Sequence, residues 1–568
     1  MRHLRWQALI AVLGMLLVIG LLVGQGRSVT YATVPASGGT YTEALVGLPA
    51  RLNPLLDRAN PVDRDLDRLI FSGLTRFDSA GRPAPDLANW LVSADGLTYT
   101  FVLRDSAKWH DGTSVTAEDV AFTVSLLQAP DYPGPADVGQ LWQSVQVRLL
   151  NQQAIEFKLP EPFAAFLDYT AVGILPKHLL NGTTAAQLPS ADFNLQPVGS
   201  GPFAFDGFVL DGDQVKGVTL TAFADYYGPH PLLNRVEFYF YLDTASAFAA
   251  YQAGQVLGVS RLGVAQMPTA LGLPQLGLYT TLRPEYSLIF MNQRSDVLPF
   301  FKEKKVRQAL LIGLNRPAIV TNILGGQAVV ASGPVVPGSW AYDPDLPTRA
   351  YDPELAVNLL ESAGWVLPEG AVAGTDSYVR QKNGVPLRFT LLTPDDAAHT
   401  AIASQAKQDW AKLGVLADVG PVPAATILAE YLQPRAYQAV LVDFNLSGTP
   451  DPDPYPLWHE TQVESGQNYS GYSDRRTSEY LEQARITPDL NQRAELYRQF
   501  QSRFYDQVPA LLLFYPVYNY AVDAKVNGVQ IGPLTEPSDR FANFADWYLV
   551  TRRVIVEQAG EVVLTPQP

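Results

Sequence analysis

Apolar residues recur along the chain with two different periods, and each period predicts one kind of element. Tyr99, Phe101 and Leu103 occupy every second position, which is typical of a strand. Asp111-Gly112 then supplies a turn, and apolar residues follow at helical spacing over 120–127. The stretch therefore predicts a strand, a turn and a helix, in that order.

Charged residues at this junction have two interpretations. His110 and Asp111, followed by Glu118 and Asp119, are residue types used in acid–base chemistry and metal ligation. Thr116 and Asp119, however, have the spacing of a capping box, which places both acidic residues in the first turn of the helix. The second interpretation explains the charges without any chemistry.

The same two periods recur over the whole length. Helices are predicted at 351–365, where Asp352 is the cap and Gly364 the stop, at 490–507, and at 305–326 with a break at 315–317. Strands are predicted between them, at 235–242, 286–292, 386–393, 437–444 and 510–522. Interspersed helices and strands predict a mixed α/β fold.

Composition narrows the class of protein. A chain of 568 residues with 47% apolar and 17% charged residues is expected to form two or three globular domains. The absence of cysteine excludes disulfides, thiolate metal sites, cysteine nucleophiles and a lipid anchor on cysteine. The net charge of −15, without clusters of lysine and arginine among aromatic residues, disfavours nucleic-acid binding.

The N-terminal sequence predicts export. Arg2 and Arg5 precede an uncharged apolar run over 8–24, intermediate in length between a signal peptide and a membrane span. No small-x-small site follows Gly24 directly, which favours a retained anchor, while cleavage after Ala36 is the alternative. No later segment is long and apolar enough to span a bilayer, so the rest of the chain is expected outside the cytoplasm.

Several motifs, taken together and in order, resemble a known family. The sequence YTFVLRDSAKWHDGTSVTAEDVAFT at 99–123 is accompanied by RLNPLLD at 51–57, PVGSGPFAFDGF at 197–208 and a segment beginning GTPDPDPYPLW at 448. This set resembles the extracytoplasmic solute-binding proteins of ABC importers, family 5, which includes the oligopeptide, dipeptide and nickel type. The resemblance covers nearly all of the chain after the N-terminal segment.

The resemblance implies a bilobal α/β fold of the periplasmic-binding-protein type II, with an extra subdomain in the first lobe. The implied segments are 1–35 for the signal or anchor, 36–80, 200–282 and 522–568 for lobe I, 81–199 for the extra subdomain, and 283–521 for lobe II. A monomer would bind a solute in the cleft between the lobes and deliver it to ABC permease subunits. No cofactor, metal or chemistry on the ligand is implied.

The resemblance also implies candidate ligand contacts. Asp451, Asp453, Tyr455 and Trp458 lie in the segment 450–458, where a buried carboxylate would pair with a ligand cation and aromatic rings would line a pocket. A turn stiffened by proline with solvated aspartates is the alternative. If Asp451 binds the ligand, Asp451→Asn should weaken binding and leave the melting temperature of the free protein nearly unchanged.

Six further candidates lie elsewhere in the sequence. Ser200 and Gly201 would offer backbone N–H groups at a crossing between the lobes, or would simply form a turn between domains. Four strand-flanking residues assigned to lobe II would hydrogen-bond the ligand: Tyr286, Asn292, Asn445 and Tyr518.

One departure from the family bears on the ligand. Peptide-binding members carry an acidic residue for the ligand's α-amino group just before the Asp-Pro-Asp segment, and this chain has none between Asp443 and Asp451. Peptides lead among the expected ligands, with sugars, opines, haem-like molecules and nickel complexes left open.

Two rival functions also remain. A secreted hydrolase would use His110, Asp111 and the acidic pair that follows, although the chain lacks a His-Glu-x-x-His motif, a Gly-x-Ser-x-Gly elbow at Ser200 and a P-loop. A membrane-anchored sensor would keep the same fold and signal instead of transporting.

Overall fold

The structure is a computed structural model that describes residues 2–25, 30–78, 80–294, 298–375, 377–448 and 450–556. Its strands are, in chain order, β1 (Thr30–Ala36), β2 (Thr40–Val46), β3 (Thr75–Phe77), β4 (Pro83–Pro85), β5 (Ala88–Val92), β6 (Thr98–Leu103), β7 (Gln146–Asn151), β8 (Ala154–Lys158), β9 (Phe203–Asp211), β10 (Gln214–Ala222), β11 (Arg235–Tyr241), β12 (Gly258–Val259), β13 (Leu276–Leu282), β14 (Glu285–Met291), β15 (Ala328–Val330), β16 (Gln381–Lys382), β17 (Val385–Pro386), β18 (Arg388–Pro394), β19 (Leu416–Val422), β20 (Ala439–Asn445), β21 (Leu511–Asp523) and β22 (Val550–Val556).

The α-helices alternate with these strands. They are α1 (Arg2–Gln25), α2 (Pro61–Ile70), α3 (Ala117–Leu127), α4 (Ala136–Ser144), α5 (Phe166–Tyr169), α6 (Lys177–Leu180), α7 (Thr244–Gln252), α8 (Met267–Leu271), α9 (Lys304–Ile312), α10 (Arg316–Ala318), α11 (Pro353–Ser362), α12 (Ala397–Lys412), α13 (Ala424–Thr426), α14 (Tyr455–Trp458), α15 (Arg475–Ile486) and α16 (Leu490–Gln507).

One long strand, β21, runs through both lobes. Its N-terminal part pairs with β14 of the second-lobe sheet, whose order is β19-β18-β20-β14-β21. Its C-terminal part pairs with β13 and β12 of the first-lobe sheet, whose order continues β21-β12-β2-β11-β10-β9. The two lobes are therefore joined by a continuous backbone strand.

The chain crosses between the lobes a second time, beside β21. The chain passes from β13 to β14 through Arg283 and Pro284, and the Arg283 N–H donates to the Pro516 carbonyl at 2.9 Å. Tyr518 lies beyond this point, opposite Thr281 in the first-lobe sheet, and not among second-lobe strands as its sequence position suggested. The pairing changes within an uninterrupted strand, so nothing in the apolar pattern marks the boundary.

A four-stranded antiparallel sheet, β5-β6-β8-β7, forms a subdomain on the first lobe. Its inward residues Phe101 and Phe157 belong to the same buried core as Phe238 and Trp547 of the first lobe. The second lobe has separate cores on the two faces of its own sheet. The bilobal α/β fold with an extra subdomain is thus the observed one, while the exact segment boundaries stay predictions.

The predicted strand, turn and helix at 99–127 are confirmed. Tyr99, Phe101 and Leu103 are at most 4% exposed along β6. Thr116 and Asp119 form a complete capping box at the start of α3. The other oxygen of Asp119 accepts from the backbone N–H of Lys177 at 2.9 Å. The carboxylate of Asp119 is therefore satisfied by local structure.

His110 stabilises a turn by hydrogen bonds. Its Nδ1 accepts from the Gly199 N–H at 3.1 Å, and Nε2 lies 3.0 Å from the Gly201 carbonyl. Because an N–H can only donate and a carbonyl can only accept, the ring is the neutral tautomer protonated on Nε2. Burial favours the same form and lowers the pKa of His110 to about 4. These bonds give His110 a structural role.

The Gly199–Gly201 turn packs against the C-terminal end of α2. A Cβ on Gly201 would lie 2.5 Å from the Leu69 carbonyl, and one on Gly199 would overlap the Ile70 carbonyl. The turn leads from the extra subdomain into β9 of the first lobe. It therefore does not cross between the lobes, and the glycines are required by close approach of two backbones.

The N-terminal residues form α1, and β1 pairs antiparallel with β22. Within the described ranges, no helix combines the length and the apolar composition needed to cross a membrane. The assignment of residues 1–35 as a signal or anchor stays a prediction.

We predict that His110→Ala lowers the free energy of unfolding by about 2–4 kcal/mol, because it leaves the Gly199 N–H and the Gly201 carbonyl buried without partners. Urea denaturation of the two proteins measures the change. The exposed His230, substituted in the same way, is the control and should have little effect. Equal stability of all three proteins would contradict the role given to His110.

His110 should also make the free energy of unfolding depend on pH. The folded-state pKa of His110, about 4, lies below the ordinary value of 6.5, so the unfolded chain binds this proton first as the pH falls. Stability contributed by neutral His110 is complete above pH 6.5 and is lost towards pH 4, by up to roughly 3 kcal/mol. The free energy of unfolding, measured from pH 6.5 down to pH 4, should fall less steeply for His110→Ala than for the wild-type protein.

Candidate functional site

A cavity of about 750 Å³ lies against α2, within the size range of small-molecule sites. Its walls come mostly from the first lobe and the extra subdomain, and Gly448 contributes from the second lobe. The principal lining residues are Pro54, Asp57, Arg58, Asp67, Arg68, Phe71, Gly73, Asp86, Arg104, Tyr132, Val138, Asp168, Tyr169, Gly173, Tyr226, Tyr227, Gly448, Glu536, Phe541 and Phe544.

The sequence of α2 explains how it presents charged groups to this cavity. Asn60 caps the helix by accepting from the Val62 N–H, and Pro61 occupies the first helical position. Asp63 and Asp67 are four residues apart and so lie on one face, a helical turn from each other. Most of the helix is buried, including its aspartates. Each carboxylate consequently needs a partner.

Carboxylates dominate one part of the wall, where Asp67 and Asp168 are buried and Asp57 is half-buried. Burial raises the pKa of Asp57 and of Asp168 to about 8, and it raises the pKa of Asp67 well above its usual range. Neighbouring carboxylates contribute to each of these shifts in the same direction. The wall therefore offers groups that gain from the arrival of a cation or from protonation.

Arginines and aromatic rings complete the wall. Arg64 pairs with Glu536 at 2.8 Å and Arg58 with Asp137 at 3.1 Å. The guanidinium of Arg104 lies 5.7 Å from the centre of the Tyr227 ring. Charges of both signs between aromatic walls suit an organic solute that itself carries both charges.

A fully buried ion cluster lies beneath this wall. Arg540 is inaccessible to solvent and donates to Asp65 at 2.6 and 2.7 Å and to Glu43 at 2.9 Å. Glu43 also accepts from the hydroxyls of Tyr41 and Tyr520. The cluster ties α2 to β2 and to the segment 537–541, which ends at the cavity.

The second lobe touches the first beside the cavity. The backbone N–H of Asp451 donates to Asp168 Oδ2 at 2.8 Å, and the Ala164 N–H donates to the Arg485 carbonyl at 2.8 Å. Gly448 faces Arg58 so closely that a Cβ would lie 3.0 Å from Nη2. A solute in the cavity would therefore meet both lobes.

The residues predicted in 450–458 hold the second lobe together. Asp451 pairs with Arg493 at 3.1 Å and accepts from the Tyr497 hydroxyl at 2.7 Å. Asp453 accepts from Arg485 at 2.9 Å. Tyr455 lies between His459, whose ring centre is 4.0 Å away, and the guanidinium of Arg485 at 3.9 Å. Trp458 is buried in a core with Phe290 and Phe504.

The remaining candidates also have structural partners. Tyr286 is buried and stacks on Phe444, and the Asn292 amide donates to the carbonyls of Arg435 and Tyr437. The Asn445 side chain accepts from the Ser447 N–H, and the Tyr518 hydroxyl donates to the Ser260 carbonyl. Ser200 and Gly201 lie in the turn against α2 described above.

Among the described residues that line the cavity, none is one of these ten candidates. The backbone N–H of Asp451 contacts the wall through its hydrogen bond to Asp168. Ligand contact by the ten residues stays a prediction.

One feature of the sequence could have indicated the residues that line the cavity. The stretch 57–68 reads DRANPVDRDLDR, which is dense in charge and yet forms a helix of the first lobe. A charged stretch is ordinarily a solvated surface, so its burial beside a cavity was not evident from the pattern.

An α/β protein of two lobes, with a cavity closed by a residue from the opposite lobe, has the architecture of a solute-binding protein. Residues 82–466 match the family model of bacterial extracellular solute-binding proteins, family 5, and the chain belongs to this family. The family and fold predicted from the sequence are confirmed. The chain is the solute-binding component of an ABC transporter.

The relatives cover nearly the whole chain. The oligopeptide-binding protein AppA of Bacillus subtilis (strain 168) is 29% identical over 526 residues, which are 91% of this chain and 92% of that protein. Its structure in complex with a nonapeptide has a TM-score of 0.67 at 28% identity, covering 91% and 100% of the two chains.

Two further relatives are similar over the same extent. The dipeptide-binding protein of Escherichia coli (strain K12) is 27% identical, over 90% of this chain and 96% of its own. NikZ from Campylobacter jejuni, solved in complex with Ni(L-His), has a TM-score of 0.69 at 27% identity, covering 90% and 99%.

The sequence predicted that Asp451→Asn leaves the melting temperature of the free protein nearly unchanged. The Asp451–Arg493 pair predicts instead that this substitution destabilises the protein. Both side chains are at most 4% exposed, so the substitution leaves Arg493 buried without its counter-charge. We predict a loss of about 3 kcal/mol in the free energy of unfolding, measured without ligand. Asp453→Asn is the control, because its partner Arg485 is 32% exposed and can rehydrate. An equal or smaller loss in Asp451→Asn would contradict this prediction.

Proposed function

We propose that the solute is a peptide or a peptide-like molecule with charges of both signs, bound in the cavity against α2. The observation that carries the proposal is the wall itself, on which buried carboxylates, guanidinium groups and tyrosine rings occur together. A peptide with free termini carries one ammonium and one carboxylate, which matches this mixture. The Bacillus subtilis and Escherichia coli relatives, an oligopeptide-binding and a dipeptide-binding protein, support the same ligand class.

Closure of the lobes would be the signal that the permease subunits read. A ligand stabilises the closed form only by interacting more favourably with it than with the open form. The second-lobe groups beside the cavity are Gly448 and the backbone N–H of Asp451. A ligand that touches both Gly448 and the α2 wall gains its second-lobe contact only in the closed form.

The protein would act outside the cytoplasm as a monomer. The apolar side chains of α1 are exposed, for example Ile10 at 64% and Met15 at 65%, as expected of a segment that is recognised for export. The mass of the protein recovered from the producing cell distinguishes a retained N-terminal segment from a removed one.

A pool of synthetic peptides tests the function. Native mass spectrometry of the purified chain should show bound peptides that are recovered unchanged in mass, whereas a hydrolase would release fragments. Ligand at about 100 times its dissociation constant should stabilise the fold by about 2.7 kcal/mol. A chain that binds no peptide, or that cleaves the pool, would contradict the proposal.

A cavity-filling variant tests whether the peptide binds in this cavity. Val138 lies on α4 and lines the wall, so Val138→Trp should reduce peptide affinity at least about tenfold by occupying ligand space. Val102→Trp is the matched control, because Val102 is 47% exposed on β6 of the same subdomain and is not on the wall. Equal affinity of the two variants would show that the ligand binds elsewhere.

A further inference from the structure

The segment 163–168 of the extra subdomain meets the second lobe. The Ala164 N–H donates to the Arg485 carbonyl at 2.8 Å, and the guanidinium of Arg485 lies 5.9 Å from the centre of the Phe163 ring. Asp168 Oδ2 accepts from the backbone N–H of Asp451 at 2.8 Å. We call these interactions the subdomain contact. The chain does not cross between the lobes here, so opening of the lobes must break the contact.

Charged groups from both lobes meet at the subdomain contact. The extra subdomain contributes Asp168, which is 6% exposed. The second lobe contributes two ion pairs, Asp451 with Arg493 and Asp453 with Arg485. With every group ionised, three carboxylates therefore face two guanidinium groups. The surplus negative charge is that of Asp168, because both arginines already have a partner in their own lobe.

The surroundings of Asp168 favour its protonation while the contact exists. Burial raises the pKa of Asp168 to about 8, and the charges of Asp451 and Asp453 act in the same direction. Burial raises the pKa of Asp451 as well, but the Arg493 charge and the Tyr497 hydroxyl oppose this. The donor to Asp168 is an uncharged backbone N–H. A proton taken up by these carboxylates therefore rests on Asp168.

The tyrosines at the contact keep their protons near neutral pH. Burial raises the pKa of Tyr497, whose hydroxyl donates to Asp451 at 2.7 Å. Burial raises the pKa of Tyr169, beside Asp168 on α5, in the same way. The other charged groups of the first lobe on this side are Arg76 on β3 and the ion pair of Arg58 with Asp137.

Two further groups titrate in the same range, each within a single lobe. The pKa of Asp57 is raised to about 8, and the charges that act on it, such as Arg64 and Glu536, belong to the first lobe. The pKa of His399 is raised to about 8 by carboxylates of the second lobe. Asp168 differs from both, because the charges that shift its pKa lie on the opposite lobe.

We propose that the subdomain contact is a latch that takes up one proton on Asp168 as the lobes close, so that a fall in pH favours the closed form. In the open form the second-lobe carboxylates are withdrawn, and Asp168, which borders the cavity, is hydrated and ionised at neutral pH. On closing, a proton from solvent binds to Oδ1, because Oδ2 accepts from the Asp451 N–H.

The direction of the pH effect follows from the pKa of Asp168, which is higher in the closed form than in the open form. The proton therefore stabilises the closed form below about pH 8, and this contribution is lost as the pH rises through that value. The inference goes beyond the proposed function, because it concerns closure of the lobes and not the identity of the ligand.

Distances between spin labels test the latch. The chain has no cysteine, so Gln146→Cys and Gln483→Cys place one label on each side of the contact in the full chain. Both glutamines are exposed and uncharged, so the charges at the contact are unchanged. Double electron–electron resonance, recorded without peptide, gives the populations of the closed and open forms. The ratio of closed to open protein should rise about tenfold from pH 9 to pH 7.

Two variants carry the comparison. Asp168→Asn keeps an oxygen that accepts from the Asp451 N–H but has no proton to gain, so it should be at least as closed as wild-type protein at pH 7 and equally closed at pH 9. Asp225→Asn makes the same change in net charge at an exposed residue that pairs with Lys108, and it should keep the rise seen in wild-type protein.

The outcomes separate the latch from peptide binding. A ratio that is the same at the two pH values in wild-type protein, or that changes equally in Asp168→Asn, would overturn the latch. Because no peptide is added, either result leaves the proposed function intact. Failure of the chain to bind peptides would overturn the proposed function and leave the latch to be judged by the label distances alone.

Discussion

The arrangement of the two lobes depends on the continuous strand β21. Its hydrogen bonds to β14 fix the second-lobe sheet, and those to β13 and β12 fix the first-lobe sheet. The change of sheet occurs at Pro516, which has no N–H to lose, and whose carbonyl accepts from Arg283 on the neighbouring crossing. Any change in the angle between the lobes must bend these two adjacent segments, so closure can bring Gly448 to the cavity by one motion.

The first lobe, in contrast, is built to remain fixed. The Arg540 cluster joins α2 to β2 and to the segment 537–541, and the turn fastened by His110 packs against the end of the same helix. A charged group on a rigid helix can be held in place for a ligand without moving. The α2 wall of the cavity is therefore held by these contacts.

Much of the local structure was predictable from the sequence, and the cavity was not. The capping box of Thr116 and Asp119 and the helix begun by Asp352 depend on neighbouring residues, so spacing predicts both. Asp63, Asp65 and Asp67 look alike in sequence. In the fold, Asp63 accepts from the Ala50 N–H, Asp65 accepts from Arg540, and Asp67 lies at the cavity. Asp451 resembled a ligand partner because Arg493, which neutralises it, lies on a distant helix. Long-range partners decide which charges are available, and one sequence does not reveal them.

The most direct measurement is a crystal structure of the chain with a bound peptide from the synthetic pool. The account predicts peptide density in the cavity between α2 and Gly448. Density instead at Tyr455 and Trp458 would contradict it.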